Sequence, residues 1–196
     1  IITVICCMYL LKKRPMYLFI LFLLTVCLAY CSVGNSIRYQ LVGKFIIENS
    51  IALCFAFFIH FLRNYIKELD SQVLFPKHIL LIYSLPIVML GLSIGEIFYP
   101  HTLYSFNGTF VLSVVCVNML FVLFMLGKAY VNIRKSEIVV LFVCVIAPFI
   151  PFVSLFALPQ TLVGQYIMSS EIAALFFLLI PFLILFIQVP ERLFHL

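Results

Sequence analysis

The chain has 196 residues, of which 66% are hydrophobic and only 10% are charged. A soluble domain averages roughly 45–50% apolar and about 25% charged residues, so this composition excludes an ordinary water-soluble domain. The formal net charge of +5 comes without a basic groove interleaved with aromatic residues, so nucleic acid is not a predicted partner. Anionic lipid of a bilayer is the expected counter-charge.

Apolar runs follow one another along the whole chain and predict its helices. The first run, 1–11, is too short to cross a membrane, since spanning takes about 20 residues, and we interpret it as the truncated end of a helix from a longer protein. Runs of spanning length must be helical, because every backbone N–H and C=O in hydrocarbon needs an internal partner. These runs are 16–34, 45–62, 78–97, 108–127, 138–158 and 168–189. The sequence therefore predicts an all-α polytopic integral membrane helix bundle, with six full transmembrane helices plus a truncated first helix, in a single domain over 1–196.

The distribution of basic residues predicts the topology. Ten of the twelve Lys and Arg residues lie in alternate gaps between the runs, whereas Arg38 and Lys44 lie in a gap on the other side. Because Lys and Arg in short loops mark the cytoplasmic face, 63–77 and 128–137 are predicted to be cytoplasmic. The predicted outer loops are 35–44, 98–107 and 159–167. We expect a multi-pass protein of the plasma membrane with its C-terminal end in the cytoplasm.

Patterns for catalysis and metal binding are not found in the sequence. The seven cysteines lie within apolar runs or at their edges, and none forms a CxxC pair or a Cys/His metal spacing. Ionisable residues keep to helix ends and loops, whereas ion-coupled transporters place charges at mid-depth. We therefore predict no catalytic residue, no metal and no cofactor, and this pattern counts against transport and intramembrane proteolysis.

Three glutamates, Glu48, Glu96 and Glu171, lie near the predicted outer surface. Glu48 follows Lys44 by four residues, which suits an ion pair on one helix. Glu171 follows two serines, as in a capped helix N-terminus where a carboxylate is favourable. Glu96 stands at the C-terminal end of its helix, where the dipole repels a carboxylate. Arg38, water or a ligand is expected to compensate it.

Aromatic residues surround this acidic layer, and two interpretations stay open. Amphipathic rings favour the membrane interface, so the residues could form an interfacial belt. Together with the charges they could instead form the mouth of a pocket for an amphipathic, partly lipidic ligand. The candidate ligand-binding residues are Arg38, Tyr39, Glu96, Tyr99, Tyr166 and Glu171.

Several short segments, spread over most of the chain, follow one another in an order and spacing known from one family. They are Leu11–Lys12–Lys13–Arg14, Ala29–Tyr30–Cys31–Ser32–Val33–Gly34, Ile37–Arg38, Phe61–Leu62–Arg63–Asn64–Tyr65–Ile66, Tyr83–Ser84–Leu85–Pro86–Ile87, Ala147–Pro148–Phe149, Gly164–Gln165–Tyr166–Ile167, and Leu179–Ile180–Pro181–Phe182 running to Arg192–Leu193–Phe194. In this order the chain resembles the membrane sensor region of ComP-type quorum-sensing (competence pheromone) sensor histidine kinases of Gram-positive bacteria.

The resemblance implies a receptor for an extracellular peptide pheromone, which in this family can carry an isoprenoid group. Binding outside would control autophosphorylation of a cytoplasmic kinase that passes phosphate to a response regulator, and we expect a homodimer. The chain has no phosphoacceptor-His motif and no ATP-binding glycine box, so the kinase is expected outside it. A membrane transporter or channel is the alternative interpretation, and a fragment of a membrane acyl- or lipid-transferase is a third.

Overall fold

The computed structural model describes residues 16–36, 40–69, 80–133, 136–159 and 167, and every regular element within these ranges is helical. We number the helices in chain order as α1 Met16–Ser36, α2 Gln40–Leu69, α3 Leu80–Phe98, α4 Pro100–Ile133 and α5 Ser136–Pro151. A π-helical segment, Phe152–Ala157, follows α5 directly. The predicted all-α class is confirmed for these residues.

The number of helices differs from the predicted six full spans plus a truncated one. The described ranges contain five α-helices, and four stretches in them are long and apolar enough to cross a membrane. These stretches belong to α2, α3, α4, and α5 with its π-helical extension, whereas the apolar part of α1, Tyr17–Ala29, is shorter than a span. The predicted runs 1–11 and 168–189 lie outside the described residues. The four stretches indicate a multi-pass membrane protein.

α2 and α4 extend past the apolar runs from which they were predicted. α2 has 30 residues, so it is about 45 Å long, whereas the hydrocarbon core of a bilayer is about 30 Å thick. Its last turns carry Lys67 and Glu68, which are good helix formers. The prediction of a loop over 98–107 is wrong, because α4 begins at Pro100. Proline suits the first turn of a helix, where its missing N–H would have had no partner.

The described residues fall into two compact units, which divide after Asn118. In the first unit α1 packs on α2, and α2 packs on α3. The contact between α1 and α2 is aromatic: the ring centroids of Phe19 and Phe61 lie 5.1 Å apart, and those of Phe22 and Phe58 lie 5.0 Å apart. These rings are almost fully buried and lie within the usual range for paired aromatic side chains, about 4.5–7 Å.

The exposed large side chains of α3 are apolar, as contact with lipid requires. On α3 the exposed large residues include Leu81, Ile87, Val88 and Ile94. The opposite face of α3 buries Met89, Ser93 and Glu96. Ser93 and Glu96 are therefore turned toward α2, which positions them for contact with side chains there.

In the second unit the C-terminal part of α4 and the start of α5 each bury an apolar stripe at helical spacing. On α4 the buried residues are Val122, Met125, Leu126 and Ala129, and on α5 they are Ile138, Leu141, Cys144 and Val145. Because residues three and four apart share one face of a helix, each stripe marks the buried face of its helix.

α5 ends in a distortion at its prolines. Pro148 and Pro151 lie within the helix, and each removes one backbone donor. After Pro151 the helix takes the wider π pattern. The Ser154 hydroxyl donates to the Ile150 carbonyl oxygen at 2.8 Å, which supplies a donor where the regular ladder is interrupted. Membrane helices tolerate such interruptions when side chains satisfy the freed backbone groups.

Candidate functional site

Four polar residues meet where the beginning of α2 lies beside the end of α3. Lys44 and Glu48 are four residues apart on α2 and share one face. Ser93 and Glu96 are three residues apart on α3 and also share one face. We call Lys44, Glu48, Ser93 and Glu96 the Lys44 cluster. Helical spacing on two antiparallel neighbours brings them together.

The Lys44 ammonium joins the two carboxylates of the cluster. Its Nζ lies 2.6 Å from Glu96 Oε1 and 3.5 Å from Glu48 Oε1. The Ser93 hydroxyl donates to Glu48 Oε2 at 3.3 Å. The short contact with Glu96 is a charge-assisted hydrogen bond between helices, and the longer contact with Glu48 lies within α2. Lys44 therefore has one acidic partner on its own helix and one on its neighbour.

Burial makes these contacts important for stability. Glu48 and Glu96 expose only 5% and 4% of their surfaces, whereas the Lys44 side chain is 19% exposed. Carboxylates withdrawn from water need paired charges and hydrogen bonds, because the desolvation penalty of an unpaired ion is several kcal/mol. Glu96 also stands in the last turn of α3, where the helix dipole is unfavourable for an anion. Lys44 provides the positive charge that offsets both effects.

The space between the members of the cluster is small. It is about as large as one water molecule. The four residues of the cluster line it from both helices, and Leu41, Phe45 and Ile97 complete its walls. Leu41 and Ile97 are exposed, so the polar interior lies directly beneath an apolar rim. Such a space accepts the head of a side chain or a small charged group, not a whole peptide.

The structure describes two of the six predicted site residues. Glu96 lies in the cluster, and Tyr99 lies just beyond α3 with 67% of its surface exposed. Arg38, Tyr39, Tyr166 and Glu171 lie outside the described residues, so their part in a ligand site stays a prediction.

The two ion-pair expectations for Lys44 and Glu96 have different outcomes. The expected pairing of Lys44 with Glu48 is confirmed, although the contact is long. Lys44 also lies beside Glu96, a contact that the spacing along one helix does not predict. A lysine has three N–H donors, so one ammonium can serve both acids.

Two polar contacts between α2 and α3 were not predicted from the sequence. Ser93 was missed, although its position three residues before Glu96 is a signal that both side chains share one face. The second is a contact near the other end of the same helix pair. There His60 Nδ1 and the Tyr83 hydroxyl lie 2.9 Å apart, a hydrogen bond whose donor depends on the imidazole tautomer. Their rings also meet edge to face.

The charges of the Lys44 cluster suit recognition of a charged group. Within the described ranges there is no group of three or more His, Cys, Asp or Glu residues placed to hold a metal ion. The Lys44 cluster offers an ammonium and two carboxylates to a charged ligand group. The His60–Tyr83 contact offers a second polar connection between α2 and α3.

Comparison with known proteins finds a distant relative. The chain is similar to the sensor histidine kinase ComP of Bacillus subtilis (strain 168), with 26% identity over 206 aligned residues. The alignment covers 98% of this chain but 26% of ComP, so the chain spans about a quarter of its relative's length. No protein-family profile matches the chain, and no solved structure matches it.

Proposed function

We propose that this chain is the membrane sensor region of a two-component sensor histidine kinase that detects an extracellular peptide pheromone. The observation that carries the proposal is the similarity to ComP along almost the whole chain. The apolar, span-length helices support it, because a receptor for an external signal must cross the membrane to reach a cytoplasmic kinase. In this proposal residues 1–196 act as one sensor domain.

The distribution of charges supports an arrangement in which the Lys44 cluster faces the outside. Arg63 and Lys67 lie near the end of α2, and Lys128 lies near the end of α4. Short segments rich in Lys and Arg stay in the cytoplasm, so the opposite end of α2, which bears the cluster, faces outward. The C-terminal end of the chain is then cytoplasmic, within the plasma membrane.

The ligand site in this proposal surrounds the Lys44 cluster. Glu96 and Tyr99 contribute from the end of α3, and the remaining proposed contacts are Arg38, Tyr39, Tyr166 and Glu171. The apolar rim at Leu41 and Ile97 suits a peptide that is partly apolar, with or without an attached isoprenoid group. The buried charges beneath the rim suit a polar or charged group of the same ligand.

Signal output lies outside this chain. We assign it no catalytic residue and no cofactor, and propose that a kinase region of the same protein is controlled by the helices described above. The partners are the lipid bilayer, a second copy of the protein, and a response regulator that receives the phosphoryl group.

The test uses the complete natural protein in inside-out membrane vesicles, incubated with radiolabelled ATP. We expect label on a histidine, recognised because phosphohistidine is stable to alkali and labile to acid. Loading the vesicle lumen, which is the former outer side, with the peptide fraction of spent culture medium should change the rate of labelling. Vesicles from cells without the protein are the control.

Two results would contradict the proposal. Absence of histidine phosphorylation in both conditions would exclude a sensor kinase. Accumulation of a solute by vesicles that carry the protein, without phosphorylation, would establish a membrane transporter or channel instead.

A further inference from the structure

Lys44 is placed so that it can change partners without losing all of them. Its ammonium lies between Glu96 on α3, at 2.6 Å, and Glu48 on α2, at 3.5 Å. If the contact with Glu96 breaks, the ammonium can close on Glu48, which moves with the same helix. The helix pair can therefore separate at this end without leaving Lys44 as an unpaired charge, which would be costly.

The partner that loses most in this exchange is Glu96. Its carboxylate is 4% exposed and stands in the last turn of α3, where the helix dipole opposes a negative charge. When Lys44 moves to Glu48, the position that the ammonium leaves beside Glu96 suits another cation. The space there accepts a small head group and opens beneath Leu41 and Ile97.

We propose that Lys44 is a positioning residue with two states, and that the ligand carries a cationic group that takes its place at Glu96. In the unliganded state Lys44 holds α3 against α2. In the liganded state an ammonium or guanidinium of the peptide pairs with Glu96, and Lys44 pairs with Glu48. This inference rests on the proposed function and adds the chemical class of the ligand group and the contact that it displaces.

A second contact, at the far end of the helix pair, connects the exchange at the Lys44 cluster to the other side of the membrane. The His60–Tyr83 contact lies 16 residues along α2 from Lys44, which corresponds to about 24 Å of helix. Both contacts join the same two helices. Release at the Lys44 cluster therefore leaves α2 and α3 connected by a polar contact at the other end, about which they can tilt. A tilt of this kind carries the event at one face of the membrane to the opposite face.

The functional arm of the test measures histidine phosphorylation by the full-length protein at increasing doses of the spent-medium peptide fraction. For Lys44→Met we expect phosphorylation without ligand to move part of the way to the level that saturating ligand produces in the natural protein. Its half-maximal dose should fall, because the competing ammonium is gone. Lys44→Arg should retain the natural response, and Glu96→Gln should raise the half-maximal dose about 30-fold or more.

The chemical arm tests the ligand group itself. The peptide fraction is acetylated to block amines, or treated with phenylglyoxal to block guanidinium groups, and is then applied to the natural protein. Loss of the response after one of these treatments identifies the cationic group. A full response after both treatments would overturn the proposal.

A structural arm separates the failure of this inference from the failure of the proposed function. Leu41→Cys and Ile97→Cys place two thiols on the rim of the cluster, in a protein from which the natural cysteines have been removed. We expect oxidative cross-linking of this pair to be slower when Lys44→Met is added, and unchanged when Lys44→Arg is added. Equal rates in all three proteins would overturn the positioning role, even if phosphorylation responds to peptide. A slower rate without any kinase activity would instead retain the positioning role and exclude the sensor kinase.

Discussion

The two interfaces that α2 makes in the first unit contain different kinds of side chain. Toward α1 it presents Phe58 and Phe61, whose rings pack on Phe22 and Phe19. Toward α3 it presents Lys44 and Glu48 at one end and His60 at the other. The first interface depends on shape, and the second on a few directional contacts.

This difference indicates which interface can move. In lipid the hydrophobic effect does not drive helices together, so packed rings are held by van der Waals contact over their whole area. Any shift loses many such contacts at once. A polar contact can be exchanged for another of similar energy when a second acceptor is near, as Glu48 is for Lys44. We therefore place the movable interface between α2 and α3, and treat α1 with α2 as the rigid pair.

The largest effect is expected from Lys44→Met, which removes the cation of the polar interface. Two buried carboxylates then remain at close range, and breaking a buried ion pair by removing one partner costs about 3–5 kcal/mol. The free energy of unfolding, measured by SDS titration in bicelles with circular dichroism, should fall by an amount in this range.

A matched variant tests the cause of that loss. Lys44→Met combined with Glu48→Gln and Glu96→Gln removes all three charges, and uncharged replacements of buried ion pairs are often neutral or stabilising. Most of the lost stability should therefore return. If the triple variant is as unstable as Lys44→Met alone, the cluster contributes through packing and not through charge.

Phe58→Ala tests the aromatic interface and should have the second largest effect. Phe58 is 1% exposed and packs on Phe22. In soluble proteins a buried Phe→Ala change costs about 3–5 kcal/mol, and the loss should be smaller here because lipid replaces water as the reference environment. Phe124→Ala, at a residue that is 66% exposed, is the control. Equal losses of unfolding free energy in both variants would contradict the assignment of Phe58 to a packed interface.

Tyr83→Phe should have a smaller effect, because it removes one hydroxyl and keeps the ring. The hydrogen bond with His60 is lost, and hydrogen bonds between membrane helices average about 0.6 kcal/mol with a maximum near 1.7. The edge-to-face contacts of the ring with His60 and Phe57 should persist. We expect a double variant with His60→Ala to show a coupling energy of similar size in a thermodynamic cycle. A coupling near zero would show that this end of the polar interface contributes no stability.

Gly91→Ala should cause no loss of stability. A Cβ at this position would meet nothing within 4 Å, and Gly91 lies on the face of α3 opposite Met89 and Ser93, which are buried. The only expected change is the helix propensity, at most about 1 kcal/mol in favour of alanine. Ser93→Leu is the contrasting variant, since it places a bulky side chain on the face toward α2. A large loss of stability from Gly91→Ala would mean that this face of α3 is also packed.

Sequence and composition alone determined the class of this protein. Long apolar runs in a chain with so few charges can form only membrane helices, because unpaired backbone groups are not tolerated in hydrocarbon. The Lys44–Glu48 pair was also predictable, since both residues lie on one helix at a spacing that geometry defines. Helix ends were less predictable, because hydropathy marks where lipid contact ends and not where backbone hydrogen bonding ends. For this reason the helical start of α4 at Pro100 was predicted as a loop.

Only the tertiary structure decided which helix faces meet. Glu96 and Lys44 are 52 residues apart, and His60 and Tyr83 belong to different helices. In a soluble protein the apolar stripe of a helix shows which side packs inward. Here lipid-facing and packed sides are both apolar, so the sequence carries little information on the rotation of each helix. The partner of Glu96 depends on that rotation, and packing of α3 against α2 is what brings Lys44 to it.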